Sequence, residues 1–180
     1  MQLLIIFSSL ILWILVIFNL LITLQLIRII APDVWMRNSP KLKIGLLAPK
    51  FAAELSNGES VGLSTFLGQP LLLVFISLQC SSCLEKLSDL QNLEPIIKRI
   101  GIRLYLVCDA DRHKVQILTN EFGITLPVLL AEKSNPIWRE YKVNGIPFYC
   151  FIDERSRVQA TGLFDSGWDA LTKVWKINSD

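Results

Sequence analysis

The chain has 180 residues, 52% of them hydrophobic, and a formal net charge of +2 at pH 7. That length allows one domain and an appendage, and so small a charge does not suggest a nucleic-acid partner. Four cysteines are too few for a disulfide-stapled fold, and one histidine with a single C-x-x-C excludes a zinc site built on two such pairs.

In chain order, residues 3–27 form an apolar run broken only by Ser8, Ser9, Asn19, Thr23 and Gln25, and no charged side chain precedes Arg28. About 20 apolar residues suffice to span a bilayer. A cleaved signal peptide would show a positive start, a shorter apolar core and a small-residue cleavage site. A core helix would be apolar on one face rather than all round. Residues 1–28 are therefore read as an uncleaved transmembrane anchor. Residues 29–44 read as a linker, interrupted by Pro32 and Pro40 and carrying Arg37, Lys41 and Lys43. Residues 45–180 form the globular domain.

Within that domain, Asn57-Gly58 marks a hairpin turn. Residues 64–67 suggest a short helical turn before Gly68 and Pro70. Residues 71–76 are an apolar strand that breaks at Ser77, Leu78 and Gln79. From Cys80 the apolar positions Cys83, Leu84, Leu87, Leu90, Leu93 and Ile97 recur at helical spacing until Gly101, with Pro95 expected to kink or divide the helix. A second apolar strand covers 102–108. Asp109 or Asp111 can cap a helix closed by Gly123. Residues 127–130 are extended, and Asn135-Pro136 opens another helix. Residues 148–152 and 158–164 are strands around a turn without glycine, and 168–175 reads as a final amphipathic helix. Alternating strands and helices followed by two adjacent strands argue an α/β sandwich with a mixed sheet, residues 102–108 lying parallel to 71–76.

This places Cys80 where a strand hands over to a helix N-terminus and Cys83 one turn inside. Backbone N–H groups and the helix dipole favour a thiolate there, so Cys80-Ser81-Ser82-Cys83 reads as a redox dithiol.

Three further segments carry a family resemblance: Gly45-x-x-Ala48-Pro49-x-Phe51, Phe75-x-Ser77-x-x-Cys80-x-x-Cys83 and Val143-x-Gly145-Ile146-Pro147-x-x-x-Phe151-Ile152-Asp153. With them the chain resembles thioredoxin-fold proteins of the TlpA/ResA group and, within it, the methylamine-utilisation protein MauD, whose N-terminal helix residues 12–16 also match. The resemblance implies a thiol–disulfide oxidoreductase in which Cys80 is the nucleophile and Cys83 resolves the mixed disulfide. It also implies that Pro147 is a cis-proline facing the dithiol and that Ile146 offers its backbone to an extended substrate. No soluble cofactor and no metal are implied. The partners implied are a protein thiol or disulfide substrate and a membrane protein that recycles the dithiol.

The departures are specific. Gln79 stands where many relatives have Trp, Ser81-Ser82 replaces a dipeptide with Pro, and Val74 and Ser88 replace a buried acid and a helix proline. No proton acceptor for Cys83 is visible. Lys86 could support a thiolate or simply be solvated. Three other readings stay open. Ser77-x-x-Cys80 echoes a peroxiredoxin, although the proline expected four residues earlier is Leu73. A copper chaperone would need more than His113. A redox-inert interaction module would not need both cysteines. Cys108 and Cys150 read as buried small hydrophobes, on strands that flank 71–76 from opposite sides, too far apart to bridge. Proximity to the dithiol could still make Cys150 a minor redox participant. The positive-inside rule puts the domain in the cytoplasm, the resemblance puts it outside, and the chemistry of a tethered dithiol favours the outside.

Overall fold

The computed structural model describes the backbone of residues 2–38 and 42–164, and the side chains of residues 6, 7, 9–25 and 42–164. The chain divides into two compact units, 1–39 and 40–180. In the first, α1 runs Gln2–Asn38. Every large apolar side chain described on it is at least 45% exposed, so no single face of the helix is covered by the rest of its unit. Its side chains are described without a break only over 9–25, and no helix among the described residues is long and apolar enough to cross a membrane. The backbone stays helical through Pro32, so the first part of the segment expected as a linker is helix.

The second unit is built on a seven-stranded mixed sheet of order β2-β1-β5-β4-β3-β6-β7. Its strands are β1 Ala52–Leu55, β2 Ser60–Gly62, β3 Leu71–Ile76, β4 Arg103–Cys108, β5 Val128–Leu130, β6 Phe148–Ile152 and β7 Val158–Leu163. The turn at Asn57-Gly58 folds β2 back on β1, with Gly58 at φ 97° and the Asn57 side chain accepting from Glu59 N. A 3₁₀ turn, Leu63–Phe66, leads to β3. β3–β4 and β4–β5 pair in parallel, and β3–β6 and β6–β7 antiparallel. The turn before β7 manages without glycine because the Asp153 carboxylate accepts from Arg155 N and Arg157 N while Ser156 takes φ 57°.

Among the described residues, three helices pack on this sheet: α2 Ser81–Arg99, α3 Arg112–Phe122 and α4 Pro136–Glu140. Pro95 does not divide α2. It lies on the exposed side, where water can replace the bond its missing N–H gives up. Asp111 caps α3 by accepting from Lys114 N, and Gly123 closes it in the left-handed conformation. Asn135 caps α4 in the same way. The amphipathic helix expected over 168–175 lies outside the described residues.

All of β3 is buried, so its side chains supply two cores in alternation. Leu72, Val74 and Ile76 join Leu104, Leu106 and Cys108 under Cys83, Leu87, Leu90 and Ile97 of α2 and Val115 and Leu118 of α3. Leu71, Leu73 and Phe75 join Val107 and Cys150 on the other face with Phe66, Ile137 and Tyr141. Phe75 centres that second core, its ring 5.3 Å from Trp138, 5.6 Å from Tyr141 and 5.9 Å from Phe148. Each such side chain contributes about 1.5–3 kcal/mol on burial, so β3 is held from both sides up to its last residue, and the segment after it starts from a fixed point.

Candidate active site

That segment is a tight turn. Ser77 is 4% exposed, and its hydroxyl accepts from Gln79 N at 3.3 Å while its carbonyl accepts from Cys80 N at 3.2 Å. The two bonds end β3 and present Cys80 as the N-cap of α2, in extended conformation. Ser77 thus shapes the turn from its own backbone neighbours, a role a buried serine fills well because its hydroxyl competes for local N–H groups.

Cys80 and Cys83 are joined as a disulfide with Cα atoms 5.2 Å apart, inside the usual range. The two sulfurs are not equivalent. Cys83 is fully buried in the α2-side core beside Val74, whereas Cys80 is only half-buried at its edge. Two donors converge on Cys80 Sγ. The Cys83 backbone N–H lies 3.2 Å away, and the Ser82 hydroxyl also lies 3.2 Å away. A disulfide sulfur has no proton to give, so the serine is the donor. Both groups belong to the first turn of α2, where free N–H groups and the helix dipole favour negative charge.

The second wall of the site comes from the loop before β6. The Ile146 carbonyl oxygen is 4.0 Å from Cys80 Sγ. The Ile146–Pro147 peptide is cis, and Pro147 O accepts from Phe164 N at 2.9 Å, which ties the loop to the end of β7. The structure therefore brings together Cys80, Cys83 and Ile146, with Pro147 beside them, from segments more than 60 residues apart in sequence.

Other expectations resolve differently. Lys86 Nζ is 3.3 Å from Asp89 Oδ2 on the exposed side of α2, which is the solvated reading. His113 is exposed in the first turn of α3. No cluster of three or more His, Cys, Asp or Glu able to hold a metal occurs among the described residues. The expectation that Cys150 comes near the dithiol is corrected. Cys150 pairs with Leu73 and faces the core opposite to the one that holds Cys83. It is Cys108, paired with Ile76, that shares the Cys83 core. A strand buried on both faces shows no polar alternation, so which side a residue takes depends on register alone. Burial pushes the Cys108 thiol up to about 11, with the Asp109 charge adding to the rise and the N–H groups of Ala110 and Asp109 opposing it. Burial alone pushes Cys150 up as well. Both thiols stay protonated and unreactive at neutral pH.

The Ser82 contact is what sequence reasoning missed. The Ser81-Ser82 dipeptide was legible only as a departure from proline, but a hydroxyl two residues after an N-cap can turn back towards it, and that was the available signal.

Comparison with known proteins agrees with this geometry. Residues 44–161 match the AhpC/TSA family. The thiol-disulfide oxidoreductase ResA of Bacillus anthracis is 27% identical over 120 residues, covering 66% of this chain and 68% of that protein. The thioredoxin-like protein SkfH of Bacillus subtilis is 28% identical over 107 residues, covering 57% of this chain and 74% of its own length. Among solved structures, the thioredoxin domain of a thiol-disulfide oxidoreductase from Bacteroides vulgatus superposes with a TM-score of 0.67 at 24% identity, over 77% of this chain and 100% of that one. A thiol:disulfide interchange protein from a Bacteroides species gives 0.67 and 24% over 77% and 92%. The fold of residues 42–164 is thioredoxin-like.

Proposed function

The chain belongs to the AhpC/TSA family, and from that premise we propose that it is a thiol–disulfide oxidoreductase of the ResA type acting on protein thiols or disulfides. The observation that carries this reading is the pairing of a half-buried Cys80 with a buried Cys83 in one disulfide at the N-terminus of α2. In the reduced protein the Cys80 thiolate attacks a substrate disulfide, one substrate sulfur leaves as a thiolate, and a mixed disulfide forms. Cys83 then gives up its proton and attacks Cys80 Sγ. The second substrate thiolate departs and the Cys80–Cys83 disulfide closes. Run backwards, the same steps oxidise a substrate dithiol. Ile146 and Pro147 flank the sulfur as the substrate-facing wall.

The peroxide-reductase reading is weaker. The Ser77 hydroxyl accepts from Gln79 N, the hydroxyl that reaches the Cys80 sulfur is that of Ser82, and a resolving sulfur already sits one turn away. Assay of disulfide reduction in insulin, and of oxidation of a reduced peptide, separates the readings. Activity lost on alkylation of the reduced protein supports the proposal. Peroxide consumption without disulfide exchange would overturn it, and so would inertness in both assays, which marks an interaction module.

The setting of this chemistry is part of the proposal. The uncharged run 3–27, apolar on all faces, supports a single membrane anchor, and a tethered dithiol is most useful outside the cytoplasm, where disulfides persist. A MauD-like task follows: forming or guarding the disulfides of a partner enzyme while a membrane protein recycles the dithiol. Alkaline phosphatase fused after Asp180 should be active. An inactive but stably expressed fusion, with a cytoplasm-active reporter lit at the same site, would reverse the orientation.

A further inference from the structure

The geometry points to Ser82 as a catalytic residue: its hydroxyl donates to Cys80 Sγ, holds that sulfur as a thiolate and thereby makes the disulfide easier to reduce. The inference rests on the reading of Cys80 as the nucleophile and goes beyond it by assigning what sets its reactivity.

Three observations support it. The Ser82 Oγ to Cys80 Sγ separation is 3.2 Å, and in the disulfide only the hydroxyl can be the donor. Ser82 stands in the first turn of a 19-residue helix with Cys80 as its N-cap, so the short link between the two residues is rigid. The Cys83 backbone N–H is also 3.2 Å from the same sulfur, so the hydroxyl is the side-chain member of a pair of donors converging on it. A hydrogen bond to a charged acceptor is worth more than one to a neutral acceptor. The same hydroxyl therefore stabilises the thiolate more than it stabilises the disulfide, and the difference favours the reduced form. No covalent step is added, and the serine keeps its proton throughout.

Among the described residues, little else near the sulfur offers to compensate a charge. On α2 the nearest ionisable side chains are Glu85, which is exposed, and Lys86, which is engaged with Asp89. The loop from Val143 to Phe148 carries no charged side chain. Asp109 follows β4 at the same end of the sheet and lies 3.7 Å from Lys133. Cys108 and Tyr149, in the core under α2, are held neutral by burial. Val74, also in that core, has no charge to offer.

The test is the pH dependence of iodoacetamide alkylation on the reduced full chain, with the labelled residue identified by mass spectrometry, in the wild type, Ser82→Ala, Ser82→Thr and Ser81→Ala. The midpoint for Cys80 should rise by about one pH unit in Ser82→Ala. Equilibration with glutathione should move about tenfold towards the disulfide, which is about 30 mV. Ser82→Thr, which keeps the hydroxyl, should restore both values, and Ser81→Ala should leave both unchanged. An unchanged midpoint in Ser82→Ala, with Cys80 still labelled first, overturns the role of Ser82 and leaves the nucleophile assignment standing. First labelling at Cys83 in the wild type overturns the assignment itself. An equal shift in Ser81→Ala would mean that any change in this turn moves the titration, and it too overturns the role.

Discussion

The chain holds its four cysteines in two kinds of place. Cys108 and Cys150 lie within strands, fully buried, one in each core, where a thiol packs as a small apolar group and loses its proton only at high pH. Cys80 and Cys83 lie beyond the end of a strand, at the first turn of α2, where one sulfur meets two hydrogen-bond donors and the solvent edge. Cys108 and Cys83 even share a core. Burial alone therefore does not separate the helix-end pair from the strand thiols, since Cys83 is as buried as Cys108 and Cys150. What separates them is whether a sulfur can reach a helix N-terminus on its open side.

The largest effect should come from removing either member of the helix-end pair. Cys80→Ser and Cys83→Ser should each bring disulfide turnover down to background. Cys108→Ala and Cys150→Ala should stay within about twofold of wild type while losing about 1 kcal/mol of stability each, the usual cost of a point substitution. Turnover in reductase and peptide-oxidation assays, with urea melts in parallel, checks this. A collapse of activity in Cys108→Ala with the melt unchanged would break the comparison.

A second effect is protection. Incubated reduced at pH 8, the folded protein should take up iodoacetamide at Cys80 long before Cys108 or Cys150. Burial raises the Cys108 thiol to about 11, so its thiolate fraction is about a thousandth at that pH, and access is closed as well. Guanidinium should make all four labels equal. Fast labelling of Cys108 in the folded state would show that its core opens.

A smaller effect concerns the substrate wall. Ile146→Asp sets a carboxylate near a sulfur that attacks as an anion. It should slow alkylation of Cys80 and raise its midpoint, by about one unit or less given solvent screening. An unchanged profile would place the Ile146 side chain away from the sulfur.

The smallest effect lies at the capped end of α3. Asp111 is held below the usual carboxylate range by the Lys114 N–H and then by the Lys114 side chain. Its folded pKa is depressed, so its contribution is present above the unfolded pKa near 3.9 and is lost as pH falls through the lower folded value. Asp111→Asn should therefore flatten the acid limb of the stability curve slightly, without touching turnover.

Much of this architecture was legible beforehand, for reasons that differ by element. The bounds of β3 and β6 follow from continuous apolar runs between breakers, and the Asn57-Gly58 hairpin from turn chemistry. The dithiol at a helix N-terminus follows from the switch in apolar period at Cys80. Pro95 leaves α2 undivided because the cost of proline depends on which side of the helix it faces, and the apolar pattern alone does not give that cost. The face taken by Cys150 was illegible because β6 is apolar on both sides. The Ser82 contact is not legible in the motif, because the residue type alone does not show that its hydroxyl turns back to Cys80 Sγ.

The central claim is that Cys80 alone meets the substrate and Cys83 resolves it. The most direct measurement is to react reduced Cys83→Ser and Cys80→Ser full chains with a protein disulfide, quench with acid, and locate any mixed disulfide by peptide mass spectrometry. The account predicts a stable adduct on Cys80 in Cys83→Ser and none on any cysteine in Cys80→Ser. An adduct on Cys83 in Cys80→Ser at comparable yield, or adducts on Cys108 or Cys150 in either variant, would contradict it.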